Sequence, residues 1–196
     1  MITIVKFKIK RRFFGATCEF IADTIAIGGA SDTHNPAVNV LMDDGSDSTI
    51  ILEGLAWLLL LAGQRQTLVE SGVGEESSTH LTAEYLELRL KTSSEEMVSI
   101  QGSTMPSITK PAAVMEWEKL RGHWSHLADL PPLRSCGGRV EVLIGLDHVA
   151  LITAIESRLG KDDEPTAFKT RLGWTLQGDV KGRDRSSIAR VHHESR

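Results

Sequence analysis

Polar and apolar residues alternate through much of this chain, and a period of two predicts β-strands. Over residues 2–10, Val5, Phe7 and Ile9 alternate with lysines, which predicts a strand with a basic face at an exposed edge. The alternation recurs in further segments at residues 19–30, 38–43, 67–73, 81–90 and 97–103. The first two of these predict a pair of strands around a polar loop, and the next two predict a hairpin.

Two segments are predicted to be helical. The stretch Ile50–Gly63 is rich in Leu and Ala, has no Pro and ends at a glycine, which favours a short buried helix. Over Met115–Leu130, large apolar side chains recur at spacings of three and four residues: Trp117, Leu120, Trp124 and Leu127. This spacing predicts an amphipathic helix that covers the sheet.

Asp43 is the first candidate for chemistry, because it ends the apolar run Val38–Met42 and begins a turn with Asp44, Gly45 and Ser46. A carboxylate at a rigid strand end, followed by a small residue and a glycine, lets backbone N–H groups turn back toward the acid. This arrangement is typical of an aspartic peptidase. An ordinary Asp-Gly turn is the alternative interpretation.

A second segment, Glu141–His148, reads as a short apolar strand that breaks at Gly145 and continues into a helical segment. A third runs from Glu164 to Gly178 and contains Thr-Arg-Leu-Gly-Trp. In the order Met-Asp-Asp-Gly-Ser, Leu-Ile-Gly-Leu-Asp-His and Thr-Arg-Leu-Gly-Trp, the chain resembles the protease region of BEL/Pao-type LTR retrotransposon polyproteins. The resemblance covers roughly residues 22–178 and includes Gly72-Val73-Gly74.

The resemblance implies an all-β, retropepsin-like closed barrel, of which each chain supplies one half. It implies a short helix after the Asp-x-Gly loop, a helical insertion at residues 110–138 and a short helix after the Ile-Gly strand. The peptidase domain is expected at 19–178, after a basic amino-terminal segment at 1–18 and before a disordered linker or tail at 179–196.

The resemblance also implies an aspartic endopeptidase whose catalytic acid is Asp43. It assigns the active-site loop and substrate contacts to Asp44, Gly45, Ser46, Asp47, Ile144 and Gly145, and the flap to Gly72, Val73 and Gly74. Only one hydrophobic Asp-x-Gly loop occurs in the sequence, so the second acid is expected from another copy in a homodimer. The substrate is an extended peptide from the chain's own polyprotein, and no cofactor or metal is expected.

Two positions depart from the wider retropepsin pattern. Asp44 stands where Thr or Ser is usual, and an ionised carboxylate can accept but cannot donate a hydrogen bond. Leu146 stands where several relatives have Arg, which leaves Asp47 as an acceptor for substrate backbone. A catalytically inactive or co-opted module for dimerisation or peptide binding therefore remains open. A nucleic-acid adaptor that uses the basic amino-terminal strand is a further alternative.

Composition limits the remaining possibilities. The chain has 196 residues with 22 basic and 26 acidic side chains, so its net charge of −4 gives no general polyanion-binding surface. Its two cysteines, Cys18 and Cys136, are far apart in the sequence, which argues against a zinc site or a disulfide scaffold. A protein without disulfides is expected in a reducing compartment, so the predicted location is the cytoplasm. His123 and His126 are one helical turn apart in the predicted helix, but no third metal ligand is evident nearby.

Overall fold

The structure is a computed structural model that covers most of the middle of the chain. It describes residues 2–5, 20–27, 36–71, 79–92, 94–115, 117, 121–131 and 136–178. Strands predominate within these ranges and the helices are short, so the prediction of a mainly β fold is confirmed. The predicted flap tip at Gly72, Val73 and Gly74 and the predicted tail at 179–196 lie outside the described residues.

The elements before the predicted insertion are β1 (Ile2–Val5), β2 (Phe20–Ile27), β3 (Ala37–Met42), β4 (Ile50–Leu52), α1 (Glu53–Leu58), β5 (Gln64–Ser71), β6 (Thr79–Lys91) and β7 (Met97–Met105). Those that follow are β8 (Ala112–Met115), β9 (Cys136–Gly138), β10 (Val142–Ile144), α2 (Val149–Ile152), β11 (Glu156–Arg158), β12 (Thr166–Thr170) and β13 (Gly173–Gln177). Single 3-10 turns lie at Arg121–His123, Ser125–Leu127 and Leu146–His148.

The largest sheet joins strands from distant parts of the chain. Its order is β1-β5-β6-β2-β3-β10-β4-β7, and β7 also pairs with β6. The predicted hairpin is formed by β5 and β6, and the predicted pair of strands is formed by β2 and β3. β1 lies parallel to β5 at one end of this order, with Ile2 beside Leu68. Residues 2–5 of the predicted amino-terminal strand are therefore part of the same sheet.

β10 lies between the two strands that flank the Asp43 loop. It runs parallel to β3, with Ile144 beside Met42, and antiparallel to β4, with Leu143 opposite Ile50. Ile144 and Ile50 are completely buried, as is typical of strands that are covered on both faces. A strand from late in the sequence thus separates β3 from β4, although only one short loop joins those two.

Buried apolar side chains form two clusters around this sheet. One lies under α1 and contains Val40, Ile51, Leu55, Ala56, Leu88, Ile100, Val142, Ile144 and Leu172. The other contains Leu41, Ile50, Leu68, Leu143, Trp117, Trp124, Leu127, Leu130 and Leu176. Burying one such Leu or Ile side chain stabilises the fold by about 1.5–3 kcal/mol. Both clusters include residues of β3, β4 and β10, so the core holds the strands that carry Asp43.

The helix predicted at Ile50–Gly63 is shorter and less buried than expected. Its first three residues form β4, and α1 then extends over only six residues. Leu55 and Ala56 face the core, whereas Trp57 is 82% exposed. The predicted short helix is present, but its bounds and burial differ because a run of adjacent apolar residues lacks the periodicity that separates a strand from a helix or an inner face from an outer one.

Within the insertion at 110–138, Trp117 is helical, but residues 121–130 do not continue the amphipathic helix predicted at Met115–Leu130. Met115 ends β8, which pairs with β9. Trp124 has extended backbone, with φ −123° and ψ 116°, between two 3-10 turns. Trp124, Leu127 and Leu130 are nevertheless buried. A succession of short turns directs these side chains inward as well as a helix does, so the spacing alone does not distinguish the two.

A smaller sheet of three strands, in the order β11-β12-β13, follows α2. The Thr-Arg-Leu-Gly-Trp motif forms the turn between β12 and β13, where Thr170 is opposite Gly173 and Leu172 is completely buried. Arg171, on the outside of this turn, forms an ion pair with Glu96, which directly precedes β7. Buried residues such as Leu172 and Leu176, together with the exposed Arg171–Glu96 pair, therefore link this sheet to the main one.

Within the described ranges, every helix is too short or too polar to span a bilayer.

Candidate active site

Asp43 directly follows β3, and the neighbouring strand β10 fixes its backbone. The N–H of Asp43 donates to the carbonyl oxygen of Ile144 at 3.0 Å. The acid is half-buried, so it is neither enclosed in the core nor fully surrounded by solvent. The N–H of Gly45 donates to the Asp43 Oδ1 atom at 2.9 Å. A backbone donor thus turns back toward the carboxylate and fixes its orientation, in the way the sequence predicted.

The loop after Asp43 is closed by its own hydrogen bonds. The N–H of Ser46 donates to the carbonyl oxygen of Asp43 at 3.2 Å, and the Ser46 hydroxyl donates to the carbonyl oxygen of Ser48 at 2.8 Å. Ser46 is buried, whereas Asp44 is exposed and Asp47 is half-exposed. The buried serine therefore holds the loop in shape, and two further acids lie near its surface close to Asp43.

Gly145 packs so closely against the backbone of this loop that a side chain would not fit. A Cβ atom built on Gly145 would lie 2.7 Å from the carbonyl oxygen of Ser48 and 2.8 Å from that of Ser46. The next residue, Leu146, donates its N–H to the Ser46 carbonyl oxygen at 2.8 Å. The Ile-Gly end of β10 therefore packs directly on the backbone of the Asp43 loop.

Thr49, Asp147 and His148 also contact this loop, although they were not predicted from the sequence as site residues. Asp147 binds Thr49 twice: Oδ2 accepts the Thr49 N–H at 2.8 Å and Oδ1 accepts its hydroxyl at 2.7 Å. The Thr49 hydroxyl oxygen lies 3.0 Å from His148 Nδ1 and accepts the N–H of Gly145 at 3.2 Å. The signal was present in the sequence, since the polar pair Asp147-His148 comes immediately after the Ile-Gly-Leu segment.

Thr49, His148 and Asp147 have the residue types of a hydrolase triad, but their geometry does not fit one. In a triad, one imidazole nitrogen faces the nucleophile and the other faces the acid. Here Nδ1 of His148 faces both the Thr49 hydroxyl and Asp147 Oδ1, at 3.0 and 3.2 Å. Its Nε2 accepts the N–H of Gln101, and Thr49 is only 1% exposed. These residues therefore support the loop and do not form a second nucleophilic centre.

The structure brings most of the predicted site residues together. Asp43, Asp44, Gly45, Ser46 and Asp47 form one continuous loop, and Ile144 and Gly145 lie against it. The predicted flap residues cannot be compared, because they lie outside the described part of the chain.

His123 and His126 lie in separate 3-10 turns rather than on one helix. His126 uses Nε2 to donate to the carbonyl oxygen of Pro165 at 2.8 Å, which ties the insertion to the loop before β12. Among the residues that the structure describes, no group of three or more His, Cys, Asp or Glu side chains could hold a metal ion.

The site can therefore offer a partly accessible carboxylate, held at a strand end by backbone hydrogen bonds on both sides. A single carboxylate of this kind can accept a proton from water, but peptide hydrolysis of the aspartic type also needs a second acid as proton donor.

Comparisons with family models, with curated proteins and with solved structures give no match for this chain.

Proposed function

We propose that this chain is one half of a retropepsin-like aspartic endopeptidase, which acts as a homodimer and processes a BEL/Pao-type retrotransposon polyprotein. The observation that carries the proposal is the position of β10 between β3 and β4. Because of it, the Asp43 loop rests on Ile144 and Gly145. A catalytic carboxylate must be held rigidly to react efficiently, and this arrangement restrains its backbone from two sides.

The strand pairings support the barrel in this proposal. From β6 the pairings pass through β2, β3, β10, β4 and β7, and β7 pairs with β6 again. A sequence of pairings that returns to its first strand is the connectivity that a small barrel requires. In the proposed dimer, two such barrels meet so that their Asp43 loops face each other.

The chemistry requires two acids in different protonation states. Two carboxylates about 3 Å apart cannot both ionise, so the pair holds one shared proton. In the proposed dimer, the ionised Asp43 of one subunit takes a proton from water while the protonated Asp43 of its partner donates to the scissile carbonyl. The water attacks the carbonyl carbon and a tetrahedral diol forms. The shared proton makes the two apparent pKa values a property of the dyad.

The substrate is proposed to be an extended peptide of the chain's own polyprotein that lies between the subunits. The hairpin of β5 and β6 supports this, because its two strands lead directly toward the predicted flap residues 72–74. An extended peptide that pairs with the backbone of such a hairpin gains affinity without sequence-specific contacts. The side-chain pockets around Asp43 would then determine which bond is cut.

Asp44 favours one alternative, in which this chain keeps the fold and forms the dimer but does not cleave peptides. Its carboxylate is exposed at the tip of the loop, where two copies near a symmetry axis would repel each other. An inactive dimerisation or peptide-binding module would show dimer formation and peptide binding, but no cleavage at neutral or acid pH.

The test is peptide cleavage by the wild type and by Asp43→Asn. Asn keeps the size of the side chain and an oxygen that accepts the Gly45 N–H, so the variant should fold. We expect cleavage to fall by at least about 1,000-fold, because the dyad loses its ionisable groups. The matched control is Asp162→Asn in an exposed loop, which should cleave like the wild type. Equal activity of Asp43→Asn and wild type would overturn the proposal.

A further inference from the structure

The hydroxyl of Thr49 has three polar neighbours, as many as it has ways to bond, and this determines the state of His148. A threonine hydroxyl donates one hydrogen bond and accepts two. Its oxygen lies 2.7 Å from Asp147 Oδ1, 3.2 Å from the nitrogen of Gly145 and 3.0 Å from His148 Nδ1. An ionised Asp147 can only accept, so it takes the hydroxyl proton. The Gly145 N–H occupies one of the two acceptor positions, so His148 Nδ1 must carry a proton, which faces the other position and Asp147 Oδ1 at 3.2 Å.

A separate contact leads to the same assignment. The backbone N–H of Gln101 in β7 donates to His148 Nε2 at 3.2 Å. A nitrogen that accepts a hydrogen bond carries no proton, so the proton of the neutral ring is on Nδ1. The contacts with Thr49 and with Gln101 thus require the same tautomer, although they involve opposite sides of the imidazole ring.

His148 therefore links the end of the Asp43 loop to β7. Thr49 is also tied to β7 directly, because its carbonyl oxygen accepts the N–H of Ser103 at 3.1 Å. Between these two ties lies Gly102, where a Cβ atom would be 2.8 Å from the Thr49 carbonyl oxygen. Two sets of hydrogen bonds therefore hold Thr49, at the end of the loop, against β7: one through Ser103 and one through His148. The second set depends on which nitrogen of the His148 ring carries the proton.

We propose that His148, neutral and with its proton on Nδ1, is a positioning residue for Asp43. The inference rests on the proposed function for its catalytic consequence. Asp43 is fixed at the start of the loop by Ile144, and His148 fixes the end of the loop through Thr49. If the end is released, the loop that holds the Gly45 N–H against Asp43 can relax, and the carboxylate loses its fixed orientation.

Two substitutions separate the two sides of the ring. In His148→Asn, the amide nitrogen is as far along the side chain as Nδ1, so the donor to Thr49 is kept and the acceptor for Gln101 is lost. In His148→Gln, the amide oxygen reaches as far as Nε2, so the acceptor is kept and the donor is lost. The control is His123→Gln, because His123 is exposed in the insertion.

The test is NMR of the full, ¹⁵N-labelled chain near neutral pH, combined with peptide cleavage. We expect the His148 ring of the wild type to show a protonated Nδ1 and an unprotonated Nε2. We expect both His148 variants, but not His123→Gln, to shift the amide resonance of Gly45, which donates to Asp43. In cleavage, both variants should lower kcat by about tenfold with KM unchanged, since each loses one of the two hydrogen bonds by which His148 joins Thr49 to β7.

Each outcome bears on the proposal. A proton on Nε2, a fully protonated ring, or a Gly45 amide that does not respond to either His148 variant would overturn it. A merely structural role would lower the unfolding midpoint but leave the kcat of the folded enzyme unchanged. The wild-type ring measurement needs no variant, and the Gly45 measurement needs no activity. If the wild type did not cleave peptides, the proposed function would fail while the NMR results would still decide whether His148 positions the loop.

Discussion

The backbone N–H of Asp43 donates to the carbonyl oxygen of Ile144 at 3.0 Å, although about a hundred residues separate them in sequence. This bond continues the parallel pairing by one residue beyond the end of β3, from the last residue of β10. The position of Asp43 is consequently a product of the whole fold and not of its local turn. Substitutions in β10 should therefore change the position of the Asp43 carboxylate as strongly as substitutions in the loop itself.

Gly145→Ala should destabilise the protein, because the new Cβ would lie 2.7 Å from one backbone carbonyl oxygen and 2.8 Å from another. Backbone atoms cannot move aside as a flexible side chain can, so we expect a loss of about 1–3 kcal/mol in the free energy of unfolding. Urea denaturation measures this loss. The control is Gly54→Ala in α1, where a Cβ atom meets nothing within 4 Å. That change should be neutral or stabilise the helix by up to about 1 kcal/mol. Equal stability of the two variants would contradict the close packing of Gly145.

The insertion should contribute to the stability of the whole protein. Leu127 is completely buried in the core cluster that also contains Leu143 of β10. Leu127→Ala should therefore lower the free energy of unfolding by about 2–5 kcal/mol. The same substitution at Leu159, which is 70% exposed, should change it by less than about 0.5 kcal/mol. If the two leucines gave similar results, the insertion would be an appendage rather than a part of the core.

The exposed pair of Arg171 and Glu96 should stabilise the link between the two sheets over a wide pH range. The side-chain hydrogen bond with Glu96, and then its charge, raise the pKa of Arg171 above its usual value. Because the pKa of Arg171 is higher in the folded protein than in the unfolded chain, the stabilisation is fully present below the pKa of the unfolded chain. It is lost only as the pH rises through the pKa of the folded protein. The difference in unfolding midpoint between wild type and Arg171→Gln should therefore stay constant from neutral pH to about pH 10 and shrink with added salt.

Arg65→Gln is the matched control for that pair, because Arg65 is exposed in β5. It should change the midpoint less than Arg171→Gln does at low salt. A wild-type advantage over Arg171→Gln that disappeared by about pH 9 would show that another group carries the effect.

Local patterns in the sequence predicted the elements that contact their sequence neighbours. The hairpin of β5 and β6, the pair of β2 and β3, and the turn after Asp43 all form between adjacent segments, where alternation and turn residues are informative. That Gly145 lies in one site with the Asp43 loop was expected from the family resemblance. No periodicity indicates that β10 lies parallel to β3.

The features that were not predicted correctly, in the insertion and around His148, also have physical explanations. In the insertion, the buried side chains of Trp124 and Leu127 have helical spacing, but Trp124 is extended and Leu127 lies in a 3-10 turn. The importance of His148 was missed because its partners Thr49 and Gln101 come from different parts of the chain. The polar pair Asp147-His148 after Ile-Gly-Leu indicates part of this network in the sequence, but only the fold shows which distant residues complete it.

The most direct test of the central claim is to measure cleavage while wild type is mixed with Asp43→Asn at constant total concentration, after subunit exchange. If each active site needs Asp43 from two chains, activity should follow the square of the wild-type fraction, so that an equal mixture retains about one quarter of the activity. If one chain suffices, the equal mixture would retain about half. A decrease in direct proportion to the wild-type fraction would therefore contradict the shared dyad.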